Sequence, residues 1–141
     1  MQSDLPRFTP QPPIFERIGG RETVHTIVTD FYARVEADPA LRPLFPEDLQ
    51  AGIERQQLFM EQWLGGAPLF SISRGQPMLR RRHFPFVIGR GHADRWLTHM
   101  RAAFEAHVPT ELVDEVMSRL EPLAHHMVNE GQDVPRDPLP S

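Results

Sequence analysis

Proline interrupts a helix interior and cannot donate to a sheet ladder. The placement of the fifteen prolines in this 141-residue chain therefore decides what it can fold into. They crowd the two ends, at Pro6, Pro10, Pro12 and Pro13 and again at Pro135, Pro138 and Pro140. Residues 1–12 and 132–141 are accordingly expected to be disordered tails around one folded domain over 13–131. Most of the other prolines punctuate. Asp38-Pro39, Phe45-Pro46, Phe84-Pro85 and Val108-Pro109 each separate stretches with their own apolar pattern.

Those stretches carry a helical period. Gly19-Gly20 divides a short segment, 13–18, from a longer one in which Val24, Ile27, Val28, Phe31 and Val35 share a face. A further periodic stretch runs over 48–64 and closes at Gly65-Gly66, and a loop containing glycine and serine is expected from there to Gln76. Pro77 opens a short turn, MLRRRH. A long helix is predicted over 93–107 with Leu97, Met100 and Phe104 on one stripe. The last, over 110–129, has Thr110 as its N-cap and Val113, Val116, Met117, Leu120, Ala124 and Met127 on its apolar face. No segment alternates with a period of two, so the predicted fold class is all-α.

Composition narrows the chemistry. The chain has no cysteine, which excludes disulfides, thiolate metal sites, iron–sulfur clusters and covalent CxxCH attachment of heme. A net charge of −4 argues against a nucleic-acid partner. No apolar run is long enough to span a bilayer, and the first residues lack the apolar centre of a secretory signal. The expectation is a cytoplasmic protein, monomer or homodimer, with neither membrane nor nucleic acid as a partner. All fifteen basic residues are arginines, so any anion held by a cationic side chain meets an arginine fork or a histidine.

One histidine stands apart from the other six. His83 ends the arginine-rich turn and is followed at once by Phe84-Pro85-Phe86-Val87-Ile88. It is too isolated for zinc, which wants three or four protein ligands. One histidine suffices for heme, whose porphyrin supplies four nitrogens; the alternative is a structural histidine hydrogen-bonded in place.

The stretch PMLRRRHFPFVIGRGHADRWL resembles the proximal segment of a group II truncated hemoglobin. So do Gly19-Gly20, FYARV, LRPLFPED, FMEQWLGG and AHHMVN, a resemblance running from about Ile14 to Asn129. It implies a two-over-two helical sandwich around noncovalent heme b. His83 then matches the iron ligand and Phe45 the aromatic on the heme face. Tyr32 and Trp96 match donors to the bound ligand. Gln56 matches a distal-helix donor if one residue is skipped near Asp48-Leu49, with Gly52 where animal globins carry a distal histidine; in another register Gln57 or Ile53 would face the ligand. Phe59 and Phe86 are apolar wall candidates. One or two of Arg80, Arg81 and Arg82 would meet the heme propionates, with Arg80 favoured because it lies one turn before His83.

Two functions follow from that resemblance. One is reversible binding of O2 and other diatomics at a polar distal pocket. The other is a heme enzyme, peroxidase-like or a nitric oxide dioxygenase, which would need an external reductase. No residue is assigned a catalytic role.

Overall fold

Two glycines with positive φ, Gly19 at 118° and Gly20 at 76°, turn a short first helix into a long second one. In this computed structural model, which describes residues 11–139, the first is α1 (Ile14–Arg17) and the second α2 (Gly20–Glu36). A 3-10 turn at Arg42–Leu44 leads to α3 (Gln50–Trp63), followed by α4 (Leu69–Arg74) and α5 (Leu79–His83). Two long helices close the fold, α6 (Arg90–Glu105) and α7 (Thr110–His126). The described residues contain no strand, so the all-α expectation holds.

The architecture is two helical pairs, α2 with α3 and α6 with α7, joined where α2 packs on α6. The stripes read from the sequence are the ones that meet between them. Val28, Phe31 and Val35 of α2, Met100 and Phe104 of α6, and Val113 and Val116 of α7 have no appreciable exposed surface. Burying a side chain of this size fully is worth roughly 1.5–3 kcal/mol, and these residues form one continuous core.

The structure revises several local expectations. The loop expected before Gln76 contains α4. That helix is decided by tertiary contacts: Phe70 is buried edge-to-face against Phe59, with centroids 5.9 Å apart, and the Gln62 amide brackets Ser71 through bonds of 2.8 and 2.9 Å. Thr110 is the first residue of α7, not its cap; Pro109 precedes it and makes no side-chain capping bond. Helix α6 begins earlier than expected, at Arg90. His92 enables this: its Nδ1 accepts the Gly89 amide at 2.9 Å.

The C-terminal end also differs from the loose tail expected over 132–141. Gln132 and Arg136 both bond to the segment around His83, as detailed below. Most of the expected N-terminal tail, residues 1–10, and the last two residues lie outside the described residues.

Two buried acids pin the helices. Asp38 accepts from His99 Nε2 at 2.7 Å, Arg95 at 3.1 Å and the Ala40 amide at 2.9 Å, tying the end of α2 to α6. The His99 bond, with the Ala40 amide and Arg95, holds the Asp38 carboxyl far below the ordinary aspartate value against its desolvation. Glu61, buried in α3, accepts from Arg21 and from Gln57, each at 3.1 Å.

Candidate functional site

His83 is the last residue of a helix of five. Its Nδ1 lies 2.6 Å from the Leu79 carbonyl oxygen, which can only accept, so Nδ1 carries the proton. The imidazole is therefore held as one tautomer, with the Nε2 lone pair free. Burial pushes the His83 pKa below the ordinary histidine value, more than the Leu79 bond raises it, which keeps the ring neutral. A neutral imidazole whose other nitrogen donates to a carbonyl is the form that ligates a metal.

The backbone after His83 is clamped by Asn129, a fully buried residue just beyond α7. Its Nδ2 donates to the His83 carbonyl at 3.2 Å and its Oδ1 accepts the Ile88 amide at 3.0 Å. Two apolar side chains of this loop, Phe86 and Val87, are 41% and 52% exposed. Apolar surface left open beside a neutral imidazole suits a large apolar ligand.

The other candidates gather on α2, α3 and α6. Tyr32 packs edge-to-face on Phe31 at 5.5 Å and on Phe45 at 5.8 Å, and Phe31 meets Trp96 at 5.3 Å. The three residues singled out in the sequence, Tyr32, Phe45 and Trp96, thus belong to one aromatic cluster that runs Phe45–Tyr32–Phe31–Trp96. Tyr32 is 6% exposed, and burial pushes its pKa up to about 12. Among the described residues neither its hydroxyl, nor the Trp96 indole N–H, nor the half-buried Gln56 amide has a hydrogen-bond partner.

Helix α3 turns the Gly52 stripe toward this cluster. A Cβ built on Gly52 would lie 3.0 Å from the Tyr32 hydroxyl, so only glycine leaves that space free. Gln56, one turn on, follows Gly52 on the same face. Gln57 faces elsewhere: its Oε1 accepts from His25 Nδ1 at 2.8 Å and its Nε2 donates to Glu61. Phe59 is half-buried against Phe70.

Of the three arginines, Arg80 uses two of its three nitrogens within the protein. Its Nε donates to the His126 carbonyl at 3.1 Å, its NH2 meets Gln132, and the guanidinium stacks on Phe84. Arg82 uses Nε and NH2 on the Pro77 and Arg74 carbonyls. Arg81 NH1 is the one buried side-chain nitrogen or oxygen that finds no partner among the described residues. Sequence reasoning missed Arg136 and the clamping role of Asn129; no local pattern marks either.

A sandwich of two helical pairs that carries one neutral imidazole and an aromatic cluster with unpartnered donors has the character of a globin. Residues 13–129 match the sequence model of the bacterial-like globins. A group 2 truncated hemoglobin of Bacillus subtilis, YjbI, is 43% identical over 115 residues, covering 80% of this chain and 86% of the relative. The crystal structure of a hemoglobin from the thermophilic phototroph Chloroflexus aurantiacus is 49% identical, with a TM-score of 0.81 over 85% of this chain and all of that one. That of a truncated oxygen-avid haemoglobin from B. subtilis is 41% identical, with a TM-score of 0.80 over 84% of this chain and all of that one.

The chain belongs to the bacterial-like globins and, within them, to the group II truncated hemoglobins. Membership implies heme as cofactor and O2 and other diatomics as ligands. The residues fit that cofactor. His83 offers a neutral nitrogen, Phe86 and Val87 offer uncovered apolar surface, and Arg81 offers a buried guanidinium nitrogen without an acceptor among the described residues.

Proposed function

We propose that this protein binds heme b noncovalently through His83 Nε2 and holds O2 reversibly and tightly in a pocket formed by Tyr32, Gln56 and Trp96. The observation that carries the reading is the His83–Leu79 bond, which leaves the Nε2 lone pair of a neutral imidazole available to iron. Heme, when bound, supplies the iron that takes up a diatomic molecule.

The chain's own residues do the rest. Leu79 keeps the proton on Nδ1 and orients the ring. Phe45 and Phe59 supply apolar wall. Tyr32, raised to about 12, stays a protonated donor throughout the physiological range. Three donors without protein partners favour a ligand carrying partial negative charge over a neutral one. A hydrogen bond to a charged acceptor is worth roughly 1.5–3 kcal/mol, so the arrangement favours O2 over CO and slows its release. The resemblance to a hemoglobin described as oxygen-avid supports this. Arg80 and Arg82 each spend Nε and NH2 within the protein, whereas the buried NH1 of Arg81 has no partner among the described residues, so a heme propionate falls first to Arg81.

The test is the absorption spectrum of the purified protein beside its His83→Ala variant. The wild type is expected to show a strong Soret band and a five-coordinate ferrous form. The variant is expected to lose heme and to regain it with added imidazole. Stoichiometric heme with an unchanged ferrous spectrum in the variant refutes the assignment.

A further inference from the structure

His83 sits at the end of a five-residue helix, and a helix that short does not hold itself in water. Its rigidity has to come from what grips the chain around it. The Phe86 amide and the Asn129 side chain grip the His83 carbonyl, at 3.0 and 3.2 Å. Asn129 is itself gripped by Arg136. The Arg136 NH1 donates to Asn129 Oδ1 at 2.8 Å and, in the same fork, to the carbonyls of Phe84 at 2.9 Å and Phe86 at 3.2 Å. Its NH2 takes the Asn129 carbonyl at 3.2 Å. One guanidinium therefore collects four acceptors from both sides of the loop that leaves His83. A second fastening lies on α5, where Arg80 meets the Gln132 side chain.

We propose that Arg136 is a positioning residue for His83, and that the segment after α7 straps the proximal loop so that the imidazole keeps one orientation toward heme. The inference rests on the reading of His83 as the heme ligand. The physical reason is convergence. Three backbone carbonyls and an amide oxygen point at one place, and a planar cation with several fixed donors neutralises them together. Without it those dipoles repel one another. The Asn129 amide, which holds the His83 carbonyl, then loses its charged partner. A lysine ammonium is a point charge on a flexible stem and cannot span the four acceptors.

The experiment compares the full-length, heme-loaded wild type with Arg136→Ala, Arg136→Lys and His83→Gly. Three quantities are read: the rate of heme transfer to an excess of apomyoglobin, the iron–histidine stretching band in the ferrous unliganded resonance Raman spectrum, and amide exchange in residues 84–89. Arg136→Ala is expected to lose heme about tenfold faster, to shift or broaden the iron–histidine band, and to exchange faster in 84–89; Arg136→Lys is expected to recover only part of this. Wild-type heme transfer and an unmoved band in Arg136→Ala overturn the proposal, even if the melting temperature falls, because a purely structural role would do that alone. His83→Gly separates the two readings. If it takes up heme only with added imidazole, His83 stands as ligand whatever Arg136 does; if it holds heme without imidazole and keeps the iron–histidine band, the ligand assignment and the strap fall together.

Discussion

A methyl group added to Gly52 would stand 3.0 Å from the Tyr32 hydroxyl, closer than the two can remain without one moving. Tyr32 has little room to give, because its ring is held edge-to-face between Phe31 and Phe45. Gly52→Ala is therefore expected to displace the hydroxyl while sparing the fold. Alanine in place of glycine inside a helix contributes up to about 1 kcal/mol, so thermal stability should hold or rise. O2 release should speed up about tenfold, the equivalent of ~1.4 kcal/mol of lost hydrogen bonding. Stopped-flow displacement of O2 checks it, and an unchanged off-rate would show that the hydroxyl plays no part.

Tyr32 can be titrated almost alone. The chain has one tyrosine, no lysine and no cysteine, so no other side chain ordinarily titrates between pH 8 and 12. Burial raises Tyr32 from 10.0 to about 12. An acid whose folded pKa lies above its unfolded one binds its proton longer when folded, so stability is lost as pH rises from about 10 to 12. Two units correspond to roughly 3 kcal/mol. Urea unfolding at pH steps across that window should show this loss in the wild type and not in Tyr32→Phe. Tyrosinate absorbance rising with a midpoint near 10 in the folded protein would contradict the buried hydroxyl.

The neighbouring glutamines of α3 should separate in their effects. Gln57 holds His25 and the buried Glu61. Gln57→Leu is expected to destabilise by roughly 1–3 kcal/mol, the cost of leaving a buried polar group underbonded, with O2 kinetics little changed. Gln56→Leu should leave stability within ~0.5 kcal/mol, as for a residue without partners to lose, and accelerate O2 release. Exchanged phenotypes would place Gln57 over the ligand. Double variants with Trp96→Phe should be non-additive if these donors share one acceptor.

Asn129 carries more than its position after the last helix suggests. Asn129→Leu strands the Ile88 amide, takes one of the four acceptors of Arg136 and leaves the His83 carbonyl with the Phe86 amide alone. Unsatisfied buried groups cost ~1–3 kcal/mol each, so a loss of roughly 3 kcal/mol and a melting temperature lower by about 10 °C are expected. Calorimetry on the heme-loaded protein measures it. A shift under 3 °C would mean the loop after His83 is held by other contacts.

The outline of this protein was legible in its sequence because helices and their ends are local. The stripe from Val24 to Val35 and the one from Val113 to Ala124 gave the buried faces, and glycine and proline gave the stops. His83 could be singled out because an isolated histidine against an aromatic strip is unusual in one dimension. Periodicity also placed Gly52 and Gln56 on one face. It was less able to say what that face met, since that depends on α2, where Gly52 meets Tyr32 and Gln57 bonds to His25.

Burial of polar groups was not legible, because it depends on partners far away in the chain. Asp38 and Glu61 read as ordinary surface acids; one is held by α6 and the other by the start of α2. LFSISR reads as loop until Phe70 has Phe59 to pack against. Arg80 is spaced one turn before His83, and nothing local shows that the end of α7 and Gln132 both bond to it. Arg136 lies among prolines that argue for a free tail, and composition says nothing about four acceptors assembled by α7 and the His83 loop. The sequence by itself determined where the long helices run and which histidine stands apart from the others. Only the tertiary structure decided what holds that histidine still, because hydrogen-bond convergence is a property of distances that one dimension does not carry.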